Sequence, residues 1–390
     1  MPSVNANCII PTDGMLIARD TTFCRGTYEL NQGVRIVSNN TKLDCNNALL
    51  IGPDIIGFPY RDYAGIYLES VSSSSIKNCN VVQFGFGIYI DRGNNNYLLN
   101  NTVKDNIRSG IMLFMSYDNI LKNNSIWNSH GTNLETIYGG PCRCSYEARN
   151  SIDATNTING KPVYYIFGVK NLSLDGVDTN HITLGNVTNC TINNIKIRNG
   201  DPIQIGHSTN ITISDNEVNS SSYGIVLHWT ENSSIINNKL FDNNEGIFIH
   251  HSKSNTFKEN MLQANKLGIH CYESNNNTFY HNNFVENLNQ SWDESEICEN
   301  FWYSKSLLEG NYWSDYTGLD DGSGKDKHSI TRDNIGDTKI SHHNDEYPFI
   351  LFNGWEQNKN GFDRGIKQLQ ELLGKIICKI FSSSLISFCD

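Results

Sequence analysis

Apolar and polar residues alternate along this chain in runs of only three to five, and the same runs keep returning. The pattern Gly-Ile-x-(Leu/Ile) occurs as GIYLE at Gly65, GIYID at Gly87 and GIMLF at Gly110. It returns as PIQIG at Pro202, GIVLH at Gly224, GIFIH at Gly246 and GIHCY at Gly268. The steps are 22 and 23 residues in the first group and 22 throughout the second. A second column keeps the same period: Asn101 and Asn124, then Asn194, Asn216, Asn238, Asn260 and Asn282, with Cys79 in the same slot one coil earlier. Short alternating runs predict strands, and the Asn, Gly and Ser between them predict tight turns. A unit this short cannot hold a helical hairpin. Strands that recur at such a period stack on their own copies in parallel, so the predicted fold is all-β, a parallel β-helix whose coils lie about 4.8 Å apart. The Asn column is expected to occupy left-handed bends and to hydrogen-bond from coil to coil, and the repeated Gly to supply a bend without a Cβ.

The rhythm sets the expected boundaries. Residues 1–33 form an N-terminal cap, and the coils run over 34–300. A lateral insertion covers about 128–169, where the period fails. Residues 301–360 form an irregular segment. In the tail, 361–390, Phe362, Ile366, Leu369, Leu372, Leu373, Ile376, Ile377 and Ile380 are spaced for an amphipathic helix. That helix would cap the open end of the solenoid; alternatively, with Lys367, Lys375 and Lys379 on its polar side, it would meet a membrane surface or another subunit.

Composition narrows the partners. The 390 residues carry a formal net charge of −11 and no basic stripe, which argues against nucleic acid. No run of 18 apolar residues is present to span a membrane. The start, MPSVNANCIIPTDG, lacks the features of a secretory leader. Eleven cysteines and many glycosylation sequons, among them Asn39, Asn100, Asn123 and Asn171, nevertheless favour a mature secreted chain, extracellular, cell-surface or periplasmic. Cys8 and Cys24 are placed to staple the cap, and Cys271 falls on the inward side of its strand.

Register turns the repeats into surface columns. Ile247 and Ile249 point inward, so Phe248 and His250 point outward. One outward column reads Tyr67, Tyr89, Met112, then Gln204, Val226, Phe248, His270; the next reads Glu69, Asp91, Phe114, then Gly206, His228, His250, Tyr272. The strand ends read Ser70, Arg92, Met115, then His207, Trp229, His251, Glu273. Three chemistries follow. His228, His250 and His270 lie within reach of one another for copper, zinc or nickel. Tyr67, Tyr89, His207, Trp229, Phe248, His251 and Tyr272 offer ring faces and hydrogen bonds to a sugar. Glu69 and Asp91, one coil apart beside Arg92, could serve glycoside hydrolysis or elimination on uronates. In the irregular segment Asp320, Asp321 and Asp326 could hold calcium through oxygen ligands, and His342 and His343 form a further pair.

The coils, the insert NTINGKPVYYI and the terminal GNYWSDYTG…IGDTKI…DEYPFI, together spanning Cys8 to Ile350, resemble NosD-type proteins of the pectin-lyase-like group. That resemblance implies a right-handed parallel β-helix and, from the family's named member, a periplasmic role in copper-site maturation beside an ABC transporter. The chain departs from the family's Asp/Gly-rich segment, here DDGSGKDKHSITRDNIGDTKI. It also lacks the Gly-His-Gly of polygalacturonase-like relatives and the Asp-Pro-His-Glu of mannuronan epimerases, with only DPIQ at Asp201. The leading expectation is a surface protein that binds or displays against polysaccharide without catalysis, its partner a glycan surface, further copies of itself or other surface proteins. The competing expectations are a lyase or epimerase on acidic glycans using Glu69, Asp91 and Arg92, and copper handling through the three histidines.

Overall fold

A computed structural model describes residues 8–53, 63–136, 149–294, 300–324, 326–340 and 344–356. The expected tail helix and the His342-His343 pair lie outside these residues. The chain divides into two compact units: one of residues 1–278 and 284–301, the other of 279–283 and 302–390.

In the first unit every coil contributes short strands that pair in parallel with those of the coils before and after. The strands Ala64–Glu69, Phe86–Asp91 and Ser109–Phe114 form a front sheet with Tyr67 opposite Tyr89 and Glu69 opposite Asp91. The strands Ile203–Gly206, Tyr223–His228, Glu245–His250 and Leu267–Tyr272 are likewise parallel and in register, with His228 opposite His250 and Phe248 opposite His270. Alternation drives Ile66, Ile88, Ile111, Ile225, Ile247 and Ile269 into the interior, each 0% exposed. Cys271 is buried in the same inward set.

The two groups of strands belong to different sheets. The front sheet ends at Thr132–Glu135, whereas the later strands continue the sheet that holds Thr102–Lys104 and Ser125–Trp127. The switch is made inside the expected insertion. There Ser151–Ile152 and Thr157–Ile158 add parallel to the earlier coils, and Thr157–Ile158 then folds back antiparallel on Lys161–Phe167. The later coils stack upon Lys161–Phe167. The segment is therefore a seam between two stacks more than a lateral loop, and the outward columns drawn continuously from Met112 to Gln204 are two separate columns.

The amide ladders correct two expectations. Asn101 donates Nδ2–H to Asn124 Oδ1 at 2.9 Å, Asn124 to Asn156 at 2.8 Å, and Asn216 to Asn238 and Asn238 to Asn260 at 2.9 Å. These residues are buried and do not themselves take the left-handed bend. In most coils the residue before does: Asn100, Asn123, Asp215, Asn237 and Glu259 have φ between 52° and 59°. Asn194 is the exception, being left-handed itself, while the amide of Ile195 bonds to Asn216. A side-chain amide must face the interior to reach the next coil, and the preceding residue makes the turn that puts it there. The glycines of the Gly-Ile repeats serve close approach, not a bend. A Cβ on Gly224 would lie 2.5 Å from the Gly246 carbonyl oxygen, and one on Gly246 2.6 Å from that of Gly268. In the Cys79 slot a disulfide to Cys45 ties two coils covalently, and Cys8–Cys24 staples the N-terminal entry.

In the second unit the quoted terminal motif is scaffold. Asp345, 0% exposed, accepts hydrogen bonds from Asn311 N (2.8 Å), Trp313 Nε1 (2.8 Å) and Tyr347 N (3.0 Å). Ile335, Phe349 and Trp355 pack as its core.

Candidate functional site

The strand register brings the predicted residues into their columns, but their surroundings differ between the two stacks. In the front sheet most outward side chains are buried. Tyr67 and Tyr89 lie 5.2 Å apart and pack with Ala64, Phe86 and Met112 as a buried cluster, with the Arg35 guanidinium 4.9 Å over the Tyr67 ring. Tyr67 is thus removed from ligand contact. Asp91 is fully buried, and Arg92 Nη2 ties it (3.1 Å) to the exposed Glu69 (2.7 Å). A guanidinium between two carboxylates occupies the place where a substrate would sit, so this trio is arranged as an ion-pair bridge between coils and not as an open acid–base pair.

On the later sheet the rings form two rows. Along the strand ends His207 stacks with Trp229 at 6.4 Å and Trp229 with His251 at 4.0 Å. These residues, with Glu273, hold left-handed φ of 45° to 52° at the bend, so each side chain swings off the strand edge. His251 Nδ1 meets Glu273 at 3.0 Å. The second row runs Tyr223, Phe248, His270 and Trp292, with successive centroids 5.7, 5.0 and 5.2 Å apart. Trp292 sits opposite His270 in the register, one coil past it, and is 55% exposed. His270 Nδ1 bonds to Glu245 at 3.1 Å and Nε2 to Glu294 at 3.3 Å. Burial of this imidazole opposes its charge, but the bonds and charges of the two glutamates outweigh burial and raise its pKa.

The three histidines do not converge on a metal. His228 Nδ1 and His250 Nδ1 are 3.4 Å apart, and His250 stacks on Tyr272 at 5.1 Å. His270 projects from the neighbouring column with both nitrogens engaged by glutamates. Burial, then the adjacent imidazoles, push His228 down to about 3 and His250 down to about 4, so both are neutral in ordinary buffers. Among the described residues no group of three or more His, Cys, Asp or Glu is placed to hold a metal ion. The copper triad read from sequence is therefore not assembled. The calcium set fares alike. Asp320 accepts from Arg332 N (2.6 Å) and Asn334 N (2.8 Å), and Asp321 from Ser323 N (3.0 Å). Their oxygens hold the loop together. Asp326 opens a 3₁₀ turn, Asp326–Ser329.

A cleft of about 630 Å³ opens at the seam, which the sequence did not single out. Its walls come from the front sheet (Tyr89, Met112, Phe114, Glu135), from the corners beside it (Arg108, His130) and from the starts of later strands (Tyr223, Asn244, Glu245). Glu135 ends the last front strand and accepts from Ser109 Oγ at 2.8 Å. Burial and the nearby charge of Asp201 hold its carboxyl above the ordinary carboxylate range, against the Ser109 bond and the Arg108 charge. Asp201 is the clamp behind this wall. It is 0% exposed and accepts from Asn133 N (2.6 Å), Leu134 N (2.9 Å) and Asn133 Nδ2 (3.1 Å), while pairing with His181 Nδ1 at 2.8 Å. Its carboxylate thereby satisfies amides on the edge of the last front strand, which would otherwise be left open. The failing rhythm around 128–169 was the sequence signal for this place, though it did not name Glu135, Arg108 or Glu245.

Residues 138–318 match the family model described as periplasmic copper-binding protein (NosD), and residues 30–161 match that of the right handed beta helix region. The NosD match is narrower than the resemblance read from Cys8 to Ile350. No curated protein matches the chain. Among solved structures, the catalytic domain of a GH87 α-1,3-glucanase in complex with nigerose is 14% identical at a TM-score of 0.37, over 77% of this chain and 62% of that domain. The periplasmic alginate epimerase AlgG is 12% identical at 0.31, over 74% and 76%. An alginate lyase from Paenibacillus sp. str. FPU-7 is 14% identical at 0.23, over 77% and 92%. At these scores the likenesses carry neither substrate nor reaction to this chain, which spans less than two thirds of the glucanase domain. Among the described residues no helix is long and apolar enough to cross a membrane. By its own coils, and in line with the family match over residues 30–161, the chain is a right-handed parallel β-helix, and its residues 138–318 are similar to NosD-type proteins.

Proposed function

We propose that this protein binds polysaccharide along the outer face of its later coils, in an oxidising, extracytosolic compartment. The carrying observation is Trp292: half-exposed, stacked on His270, and last in a row of rings that leads through Glu245 to the seam cleft. An indole with one face packed and the other open offers a pyranose its C–H stacking surface. Two glutamates fix the histidine beneath it, so little side-chain freedom is lost on binding. The cleft at the row's other end adds Arg108, Asn244 and Tyr223 as hydrogen-bonding groups to orient a sugar. Two disulfides are consistent with the compartment.

A glycan microarray probed with the labelled protein tests this. Binding to a defined set of polysaccharides is expected, with Trp292→Ala reducing the signal at least about tenfold, in line with about 1.5 kcal/mol for a ring contact. A silent array at high protein concentration would remove the reading and leave a structural role. The copper reading has the NosD family description behind it, but His228, His250 and His270 do not converge on one point; calorimetric heats of copper binding lost in His250→Ala would reinstate it.

A further inference from the structure

We propose that one edge of the later coils is a modification site, where Asn171, Asn189, Asn210, Asn232 and Asn276 accept N-linked glycans. These asparagines lead into the sheet of Thr191–Asn193 and Thr212–Ser214, not the sheet that carries the row of rings, so the inference goes beyond the glycan-binding reading.

Register sets the column. Lys170, Thr188, Thr209, Glu231, Lys253 and Asn275 bridge in parallel from coil to coil, and the next residue in each coil makes the bend. That residue is Asn in five coils and Ser254 in the sixth, with φ between 53° and 57° throughout, and all five asparagines are exposed. Each has Ser or Thr two residues on: Ser173, Thr191, Thr212, Ser234 and Thr278. Each of these opens a strand whose next residue is buried, so amide and hydroxyl lie together on the outer side. Asn189 Nδ2 donates to Asn171 Oδ1 at 3.3 Å and Asn210 Nδ2 to Asn189 Oδ1 at 3.2 Å, so sugars on these neighbours compete for space. Asn276 donates instead to Ser254 Oγ at 3.0 Å. The acceptor before it, Asn232, is two coils away, about 10 Å, which gives Asn276 the most room.

A left-handed bend does not by itself call for Asn. The later coils make further such bends, where one column reads Asn194, Asp215, Asn237, Glu259, His281 and another Asn199, Ser220, Asp242, Ala264, Glu286. The strand starts give the same contrast. Ser173, Thr191, Thr212, Ser234 and Thr256 stand in register, whereas the neighbouring sheet has Lys196, Glu217, Lys239 and Met261 in the matching place. Asn with a hydroxyl two residues on is thus kept where neither the bend nor the strand requires it, and that pair is the acceptor sequence for N-glycosylation. The fold also excludes one such sequence. Asn219, ahead of Ser220 and Ser221, ends the strand Glu217–Asn219 at 7% exposure, where a sugar has no room. The transfer is made by a separate enzyme from an oligosaccharide carried on a lipid pyrophosphate. Asn Nδ2 bonds to C1 of the first sugar, the C1–O bond to the pyrophosphate breaks, and the lipid pyrophosphate leaves as the amide gives up one proton. No electrons are gained or lost.

Glycopeptide mass spectrometry of the full chain, purified from the cells that naturally make it, tests this. The expected result is a glycan on Asn276, fractional occupancy among the other four acceptors, and a bare Asn219 peptide. Thr278→Ala, made in the same cells, removes the acceptor sequence and leaves Asn276 at its bend. It should abolish the Asn276 glycan and leave the other sites occupied. Peptides bare at Asn276, or at all of the other four, overturn the column as a modification site, whatever a glycan array shows. A sugar kept on Asn276 in Thr278→Ala, or found on Asn219, overturns it as well, because neither the acceptor sequence nor the fold would then select the sites.

Discussion

The early and later coils are built from one repeat, in one register, with outward columns at the same strand positions, and they present opposite surfaces. On the front sheet the outward tyrosines and Asp91 are buried, and Arg92 bridges Asp91 and Glu69. On the later sheet His228 and His250 are buried as well, but Phe248, His270 and Tyr272 are partly exposed, and the row ends in the exposed Trp292. Strand register decides which way a side chain points, but what packs over the face decides whether that side chain can meet a ligand. The seam, where one stack stops and the other starts from an antiparallel fold-back, separates the two situations and opens the cleft.

The sharpest way to break this contrast is at the clamp. Asp201→Ala should cost about 3–5 kcal/mol in denaturant unfolding, because the amides of Asn133 and Leu134 and the buried His181 lose their partner together. Glu69→Gln on the exposed ion pair of the front sheet should change stability by about 1 kcal/mol or less. Equal effects would show that the seam is not held as described. Next in size is a ladder residue. Asn238→Ala removes the donors to Ile213 O and Asn260 Oδ1 and the acceptor for Asn216, inside a dry core. A loss of about 2–3 kcal/mol is expected from the same unfolding curves.

A third prediction uses pH. His228 and His250 titrate near 6.5 when unfolded and at about 3 and about 4 when folded. A base with a depressed folded pKa contributes stability that is whole above about pH 6.5 and is lost as pH falls through the folded values. Unfolding midpoints should therefore fall between pH 6.5 and 4, and His228→Gln should flatten that slope. His270, whose pKa is raised, acts in the opposite sense: its contribution is present below about 6.5 and declines as pH rises through the raised value. A slope unchanged in His228→Gln would mean that this imidazole is not held neutral.

Much of the scaffold could be read before any coordinates. The 22-residue period named the parallel coils, and the alternation in GIFIH placed His250 opposite His228 and Phe248 opposite His270. Trp292 was within reach of the same rule, since it stands 22 residues past His270, but its strand, Asn289–Asp293, lacks the Gly-Ile signature. The cleft was not legible. Glu135, Arg108 and Glu245 are brought together by a change of sheet at Thr157–Phe167, and a break in periodicity marks where such a change occurs without saying which residues it gathers. The metal readings failed for a related reason. Column spacing gives the separation of Cα atoms, whereas the ring nitrogens of His270 follow Glu245 and Glu294. Likewise the Asp320 and Asp321 oxygens bond to the amides of their own loop.

The most direct measurement of the central claim is affinity electrophoresis of two single variants in the same polysaccharide gel. Trp292→Ala alters the open ring of the later coils, and Glu69→Gln alters the exposed pair of the early ones. The account predicts that Glu69→Gln is retarded like the unmodified protein and that Trp292→Ala runs as it does in a gel without glycan. Retardation lost in Glu69→Gln and kept in Trp292→Ala would place the binding face on the front sheet and contradict it.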